Sequence, residues 1–152
     1  MKRQIVNSLS MFVLISGVFA ISVVSANAQS MRVAAQIPFD FVVGSKALPA
    51  GEYTVNTITD GGAALQIRNA DGSESAIRLT NSIAAKPKKS QSRSHLVFHR
   101  YGQTYFLAEV WREGDSGGRQ LLPSKKERSM KRELGALAQN MYERVELVAM
   151  VR

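Results

Sequence analysis

The chain has 152 residues, 20 Lys and Arg against 12 Asp and Glu, a net charge of +8, and no cysteine. A hydrophobic content of 45% supports one packed core and excludes wholesale disorder. The lack of cysteine excludes disulfides, a thiol nucleophile, and cysteine-ligated zinc or iron–sulfur centres.

The first segment reads as an export signal. Lys2 and Arg3 form a basic start, Met11 to Val24 is almost wholly apolar, and Ala26-Asn27-Ala28 sets small residues before a cut at Gln29. The apolar run is shorter than the roughly 20 residues of a spanning helix. No cysteine follows to carry a lipid. The expected organisation is a signal peptide at 1–28 and a single β-rich domain at 29–152. Loss of the leader removes two bases and no acid, lowering the charge from +8 to +6. The expected destination is the periplasm or the exterior, with no transmembrane helix after cleavage.

Beyond the leader, short β-branched and aromatic runs predict strands. In chain order they are Met31–Ile37, Phe39–Val43, Glu52–Ile58, Ala63–Arg68, Ser75–Thr80, His95–Arg100, Thr104–Arg112 and Tyr142–Val151. Turn residues separate them, among them Gly44-Ser45, Asp60-Gly61-Gly62, Asp71-Gly72, Gly102 and the stretch Gly114–Gly118. Pro38 has no N–H for a ladder, so it marks an edge, a bulge or a break between strands. Burying Leu65, Ile67, Ile77 and Leu79 together requires an odd-length loop between their strands. Centring the next hairpin on Gly102 sets Phe98 opposite Phe106, His95 opposite Glu109 and His99 opposite Tyr105. One helix interrupts the strands: Ser124-x-x-Glu127 is a capping box, and Met130, Leu134 and Leu137 follow at helical spacing. It is expected over 125–138, with Lys125, Lys126, Arg128, Lys131 and Arg132 on its remaining surface. The fold class is mainly β: an antiparallel β-sandwich or barrel with one packed α-helix near the C-terminus.

Three stretches carry a resemblance. They are Ile37-Pro38-Phe39-Asp40-Phe41-Val42-Val43-Gly44 with Leu48-Pro49-Ala50-Gly51-Glu52-Tyr53, then Leu96-Val97-Phe98-His99-Arg100-Tyr101-Gly102, then Tyr105-Phe106-Leu107-Ala108-Glu109-Val110-Trp111. With the Ser124-x-x-Glu127 helix start, the chain resembles a group of small exported β-proteins abundant in acidobacterial genomes. The resemblance implies a fold and export; no activity comes with it. The Leu-Pro-Ala-Gly-Glu-Tyr run is also similar to a turn of prealbumin-like β-sandwich modules.

Catalytic and metal chemistry is sparse. His95 and His99 are the only histidines. Four apart on a strand, they sit roughly 13 Å apart, too far for one metal ion, whose ligands lie at about 2 Å. There is no Gly-x-Ser-x-Gly elbow and no phosphate loop. Gly114-Asp115-Ser116-Gly117 has the order of a nucleophile loop but lacks a histidine context, and reads as a connection. Glu109 and Asp40 are expected to cap, to pair with arginine or to face solvent. Tyr53, Tyr101, Tyr105 and Trp111 suit sugar stacking where exposed and core packing otherwise.

Positive charge is the remaining signal. Lys86-Pro87-Lys88-Lys89-Ser90-Gln91-Ser92-Arg93 carries four bases and no acid. Lys86, Lys88, Lys89 and Arg93 are therefore the candidate polyanion-binding residues, with the helix bases as a second contribution. The expected role is a non-catalytic binding or structural module of the cell envelope. Its expected ligand is an envelope polyanion or glycan, with no nucleic acid and no cofactor. The alternative is a small secreted hydrolase.

Overall fold

The computed structural model describes residues 32–84, 93–137 and 142–149. The leader, Lys86, Lys88 and Lys89 lie outside the described residues. The described residues are mainly β, with ten strands in a continuous arrangement that is not closed into a barrel, and one α-helix near the C-terminus.

The first sheet runs β1 (Arg32–Ile37), β4 (Gly51–Thr57), β5 (Ala64–Asn69) and the first half of β6 (Ser75–Ala84). The second is built on β7 (His95–Tyr101) and β8 (Thr104–Trp111), with β10 (Glu143–Val148) on the far edge of β7. The other edge of β8 is shared by β2 (Phe41–Val43) and β9 (Gly117–Leu121), and β3 (Lys46–Leu48) flanks β2. Among the described residues all pairings are antiparallel except β2 with β8, which is parallel. β6 joins the sheets, because its second half, Thr80–Ala84, pairs with β9. At this corner Thr80 donates from its hydroxyl to Gly62 O at 2.7 Å and from its amide to Ala63 O at 2.9 Å.

Pro38 sits where the chain leaves β1 for the second sheet. Pairing of β1 with β4 ends at Ile37, and β2 begins at Phe41. Asp40 secures the crossing by accepting from Ala50 N at 2.8 Å, and the Tyr53 hydroxyl donates to Pro49 O at 2.9 Å. The core lies between the sheets. Val33, Ala35 and Ile37 of β1, Tyr53 and Val55 of β4, and Leu65 and Ile67 of β5 meet Phe41, Leu48, Leu96, Phe98 and Leu107. A third layer follows. Helix α1 (Lys125–Leu137) lays Met130 and Leu134 over Val42, Tyr101 and Phe106. This is why all of β2 is buried: Phe41 and Val43 face the core, and Val42 faces the helix. Ser124 caps α1, its Oγ accepting from Glu127 N at 3.1 Å.

Both hairpin registers differ from the sequence expectation. Ile67 pairs with Ala76 and Leu65 with Arg78 across a four-residue loop. Ile77 and Leu79 thus turn outward, 58% and 62% exposed. The buried face of β6 carries Ala76 and Thr80 instead, with half-buried Arg78 between them beside Gly44. In β7–β8 the turn has two residues, Gly102 and Gln103, with Tyr101 paired to Thr104. Gly102 alone has positive φ (60°), the sign pattern of the tight turn favoured by right-twisted hairpins. A bulge then inserts Ala108, so that Phe98 faces Leu107 and Val97 faces Glu109. Leu107 and Val110 therefore both reach the core, and Glu109 and Trp111 turn to the face that bears the helix.

Candidate functional site

The outer face of the second sheet carries two clusters. At the His95 end, the His95 ring stacks on Trp111 with centroids 5.9 Å apart, and its Nδ1 donates to Arg93 O at 3.2 Å. Glu109, placed here by the bulge, accepts from Trp111 Nε1 at 2.8 Å and receives both Arg144 terminal nitrogens at 3.0 Å. The expected contact of His95 with Glu109 is not formed, because the bulge moves Glu109 opposite Val97. Expectation held on the broader point: Glu109 pairs with an arginine and Asp40 caps a turn. Asp115 of the Gly114–Gly117 connection is locked by Arg112 through bonds of 3.0 and 2.7 Å.

At the other end of β7, a cavity of about 610 Å³ opens between α1 and the sheet. Its volume is typical of a small-molecule site. Its floor comes from β7, as His99 and Tyr101, with Gln120 of β9 and Tyr142 just before β10. Its helical wall presents Glu127, Arg128, Lys131, Arg132 and Gly135, and Pro123 closes the helix start. His99 and Glu127 form the central contact, Nδ1 to Oε1 at 3.1 Å, with 14% and 9% of their side chains exposed. A carboxylate oxygen accepts, so Nδ1 donates this bond and Nε2 is left free of it. Glu127 serves twice: its amide binds the Ser124 cap, and its carboxylate pins the helix to β7.

The aromatic rings are closely grouped. Tyr142 lies 4.2 Å from the His99 ring and 5.7 Å from that of Tyr101, and Lys131 Nζ stands 6.0 Å from the Tyr142 ring centre. Burial, then the charge of Glu127 and then Tyr142, push the Tyr101 hydroxyl up to about 12. It is a neutral hydroxyl at any physiological pH.

Four other cations among the described residues are held by carboxylates. Arg144 is paired with Glu109, Arg112 with Asp115, Arg100 with Glu143 and Lys46 with Glu74. Among the described residues, Arg128, Lys131 and Arg132 have no such carboxylate partner. Among the described residues no three His, Cys, Asp or Glu side chains are grouped to hold a metal ion, and no helix is long and apolar enough to cross a membrane.

Of the predicted polyanion residues, only Arg93 is described. It is exposed, precedes β7, and is not among the residues that line the cavity. Arg128, Lys131 and Arg132 were legible as helix bases. Gln120 and Tyr142 were not singled out, because nothing local marks them; the fold brings them to the cavity from residues 120 and 142. Comparison with protein-family models, with curated proteins and with solved structures finds no match.

Proposed function

We propose that the chain is an exported binding domain of the cell envelope, and that the cavity between α1 and the second sheet takes an anionic ligand. The observation that carries this reading is the set of three carboxylate-free bases, Arg128, Lys131 and Arg132, on one wall of a cavity floored by aromatic rings. A basic helix face with nothing beneath it would read as a solvated surface; here the bases border a concave space that has polar and apolar contacts to offer. Export rests on Lys2, Arg3, the apolar run and Ala26-Asn27-Ala28. The resemblance to small exported acidobacterial proteins points the same way. Lys86, Lys88, Lys89 and Arg93 would add long-range attraction for the same class of ligand.

Two measurements test the reading. Mass spectrometry of the exported chain should find a mature start at Gln29, free or cyclised; a membrane-embedded species starting at Met1 refutes export. Heparin, as a general polyanion, should bind at low salt, and Lys131→Ser with Arg132→Ser should weaken binding about tenfold. Absence of heparin binding at low salt refutes an anion site.

One observation favours a second reading, a small hydrolase. The carboxylate-held His99 is a general base in waiting, its Nε2 free of the bond to Glu127. Turnover of an ester, phosphodiester or glycoside that disappears in His99→Gln would establish it.

A further inference from the structure

We infer that the cavity's ligand is a uronate-bearing saccharide, an inference that rests on the anionic-ligand reading above. The cavity divides its chemistry between two walls. The bases are exposed and stand on the helix, at the mouth. The floor is different: buried Tyr101, the half-buried amide of Gln120, and the buried Glu127 carboxylate. A compact sulfate or fully ionised phosphate has no hydrogen to offer the Glu127 carboxylate, and a dianion that moved inward would be repelled by it. A sugar acid uses both walls. Its single carboxylate stays with the helix bases, and its neutral ring and hydroxyls, which both donate and accept, enter toward Tyr101, Gln120 and Glu127.

Tyr142 and Lys131 sharpen the match. Tyr142 is 41% exposed and lies beside the ammonium of Lys131, 6.0 Å from the ring centre. An aromatic face takes the C–H face of a pyranose; an ammonium beside it takes the carboxylate carried by that pyranose. A ligand entering between them exchanges a cation–ring contact for ring stacking and a direct ion pair. Glu127 cannot donate when ionised, so the hydroxyls it selects are donors, which every pyranose supplies and a polyphosphate does not.

The experiment is calorimetric titration of the full mature chain with four probes: an oligogalacturonate, its methyl ester, a neutral oligoglucan and inorganic polyphosphate. The oligogalacturonate should bind at least tenfold more tightly than its methyl ester, which keeps the ring and loses the charge. It should also bind at least tenfold more tightly than the oligoglucan and the polyphosphate. Tyr142→Ala should weaken oligogalacturonate binding about tenfold; Tyr142→Phe, which keeps the ring, should restore most of it. Polyphosphate binding equal to that of the oligogalacturonate, or no effect of Tyr142→Ala, overturns the uronate assignment and leaves the anion site standing. Failure of every anionic probe, heparin included, overturns both.

Discussion

Tyr101 lies beneath the helix with 2% of its surface exposed, and its hydroxyl is raised from 10.0 to about 12. A raised folded-state value means that the folded protein holds the proton longer than the unfolded chain. The resulting stability is complete below about pH 10 and is lost as pH rises toward 12, where forming a phenolate under α1 opposes folding. Urea denaturation should therefore show stability falling across that interval by up to about 3 kcal/mol, and Tyr101→Phe should flatten the fall. An unchanged slope in the variant would assign the alkaline loss to other groups. Apolar side chains on one sheet show how placement outweighs type. Ile67 is fully buried and Leu79 is 62% exposed, although both are apolar residues of adjacent strands. Ile67→Ala should cost about 3 kcal/mol through the cavity it leaves, and Leu79→Ser less than about 0.5 kcal/mol, read from chemical denaturation midpoints. The inward placement expected of Leu79 rested on pooling the apolar residues of both strands. It failed because the Ala70–Ser73 loop has an even number of residues, closed within by Gly72 N donating to Asn69 Oδ1 at 2.9 Å.

Eight strands and the helix were legible as elements because each carries its own periodicity or cap. β3 and β9 were not, and β9 shows why. Its sequence, Gly117-Gly118-Arg119-Gln120-Leu121, begins with two glycines that read as turn chemistry. Both answer to crowding between strands. A Cβ at Gly118 would stand 2.6 Å from the Trp111 ring, and one at Gly117 would stand 2.7 Å from Ile83 O. Those neighbours come from β8 and β6, so the requirement is invisible until the sheet is assembled. Gly118→Ala should cost about 1–3 kcal/mol, because the packed Trp111 indole must shift to admit the methyl group. Trp111 fluorescence reports the same displacement; a variant with native emission and native stability would show that β9 has room to spare. The helix makes the complementary point. Ser124-x-x-Glu127 located its start correctly, yet the motif said nothing of the Glu127 carboxylate reaching His99, 28 residues earlier in the chain. The candidate site hangs on that long-range contact, so the cavity had no local signature.

Across the whole molecule, the residues that carry the family resemblance do structural work. Asp40 ties the sheet crossing to Ala50, Phe41 meets Tyr53 edge-on with centroids 5.0 Å apart, and Tyr53 binds Pro49 O. The Ile37–Tyr53 stretches therefore serve the two-sheet crossing, and most of the cavity lining lies outside the motifs, on α1, β9 and before β10. Positive charge is likewise split between the Lys86–Arg93 stretch of the sequence and the helix face. The two contributions act over different ranges. Attraction beyond about 8 Å is largely screened at physiological ionic strength, whereas charges in direct contact with a ligand inside a cavity are screened less. If the cavity is the site, replacing Lys86, Lys88, Lys89 and Arg93 with serine should weaken heparin binding several-fold at low salt and hardly at all at high salt. Replacing Arg128, Lys131 and Arg132 with serine should weaken it by at least tenfold at both. Neither set should move stability by more than about 0.5 kcal/mol per residue, since Arg93 and the three helix bases are exposed. The reverse pattern, with the serine-substituted 86–93 variant unable to bind and the helix variant unaffected, would move the anion site from the cavity to that segment.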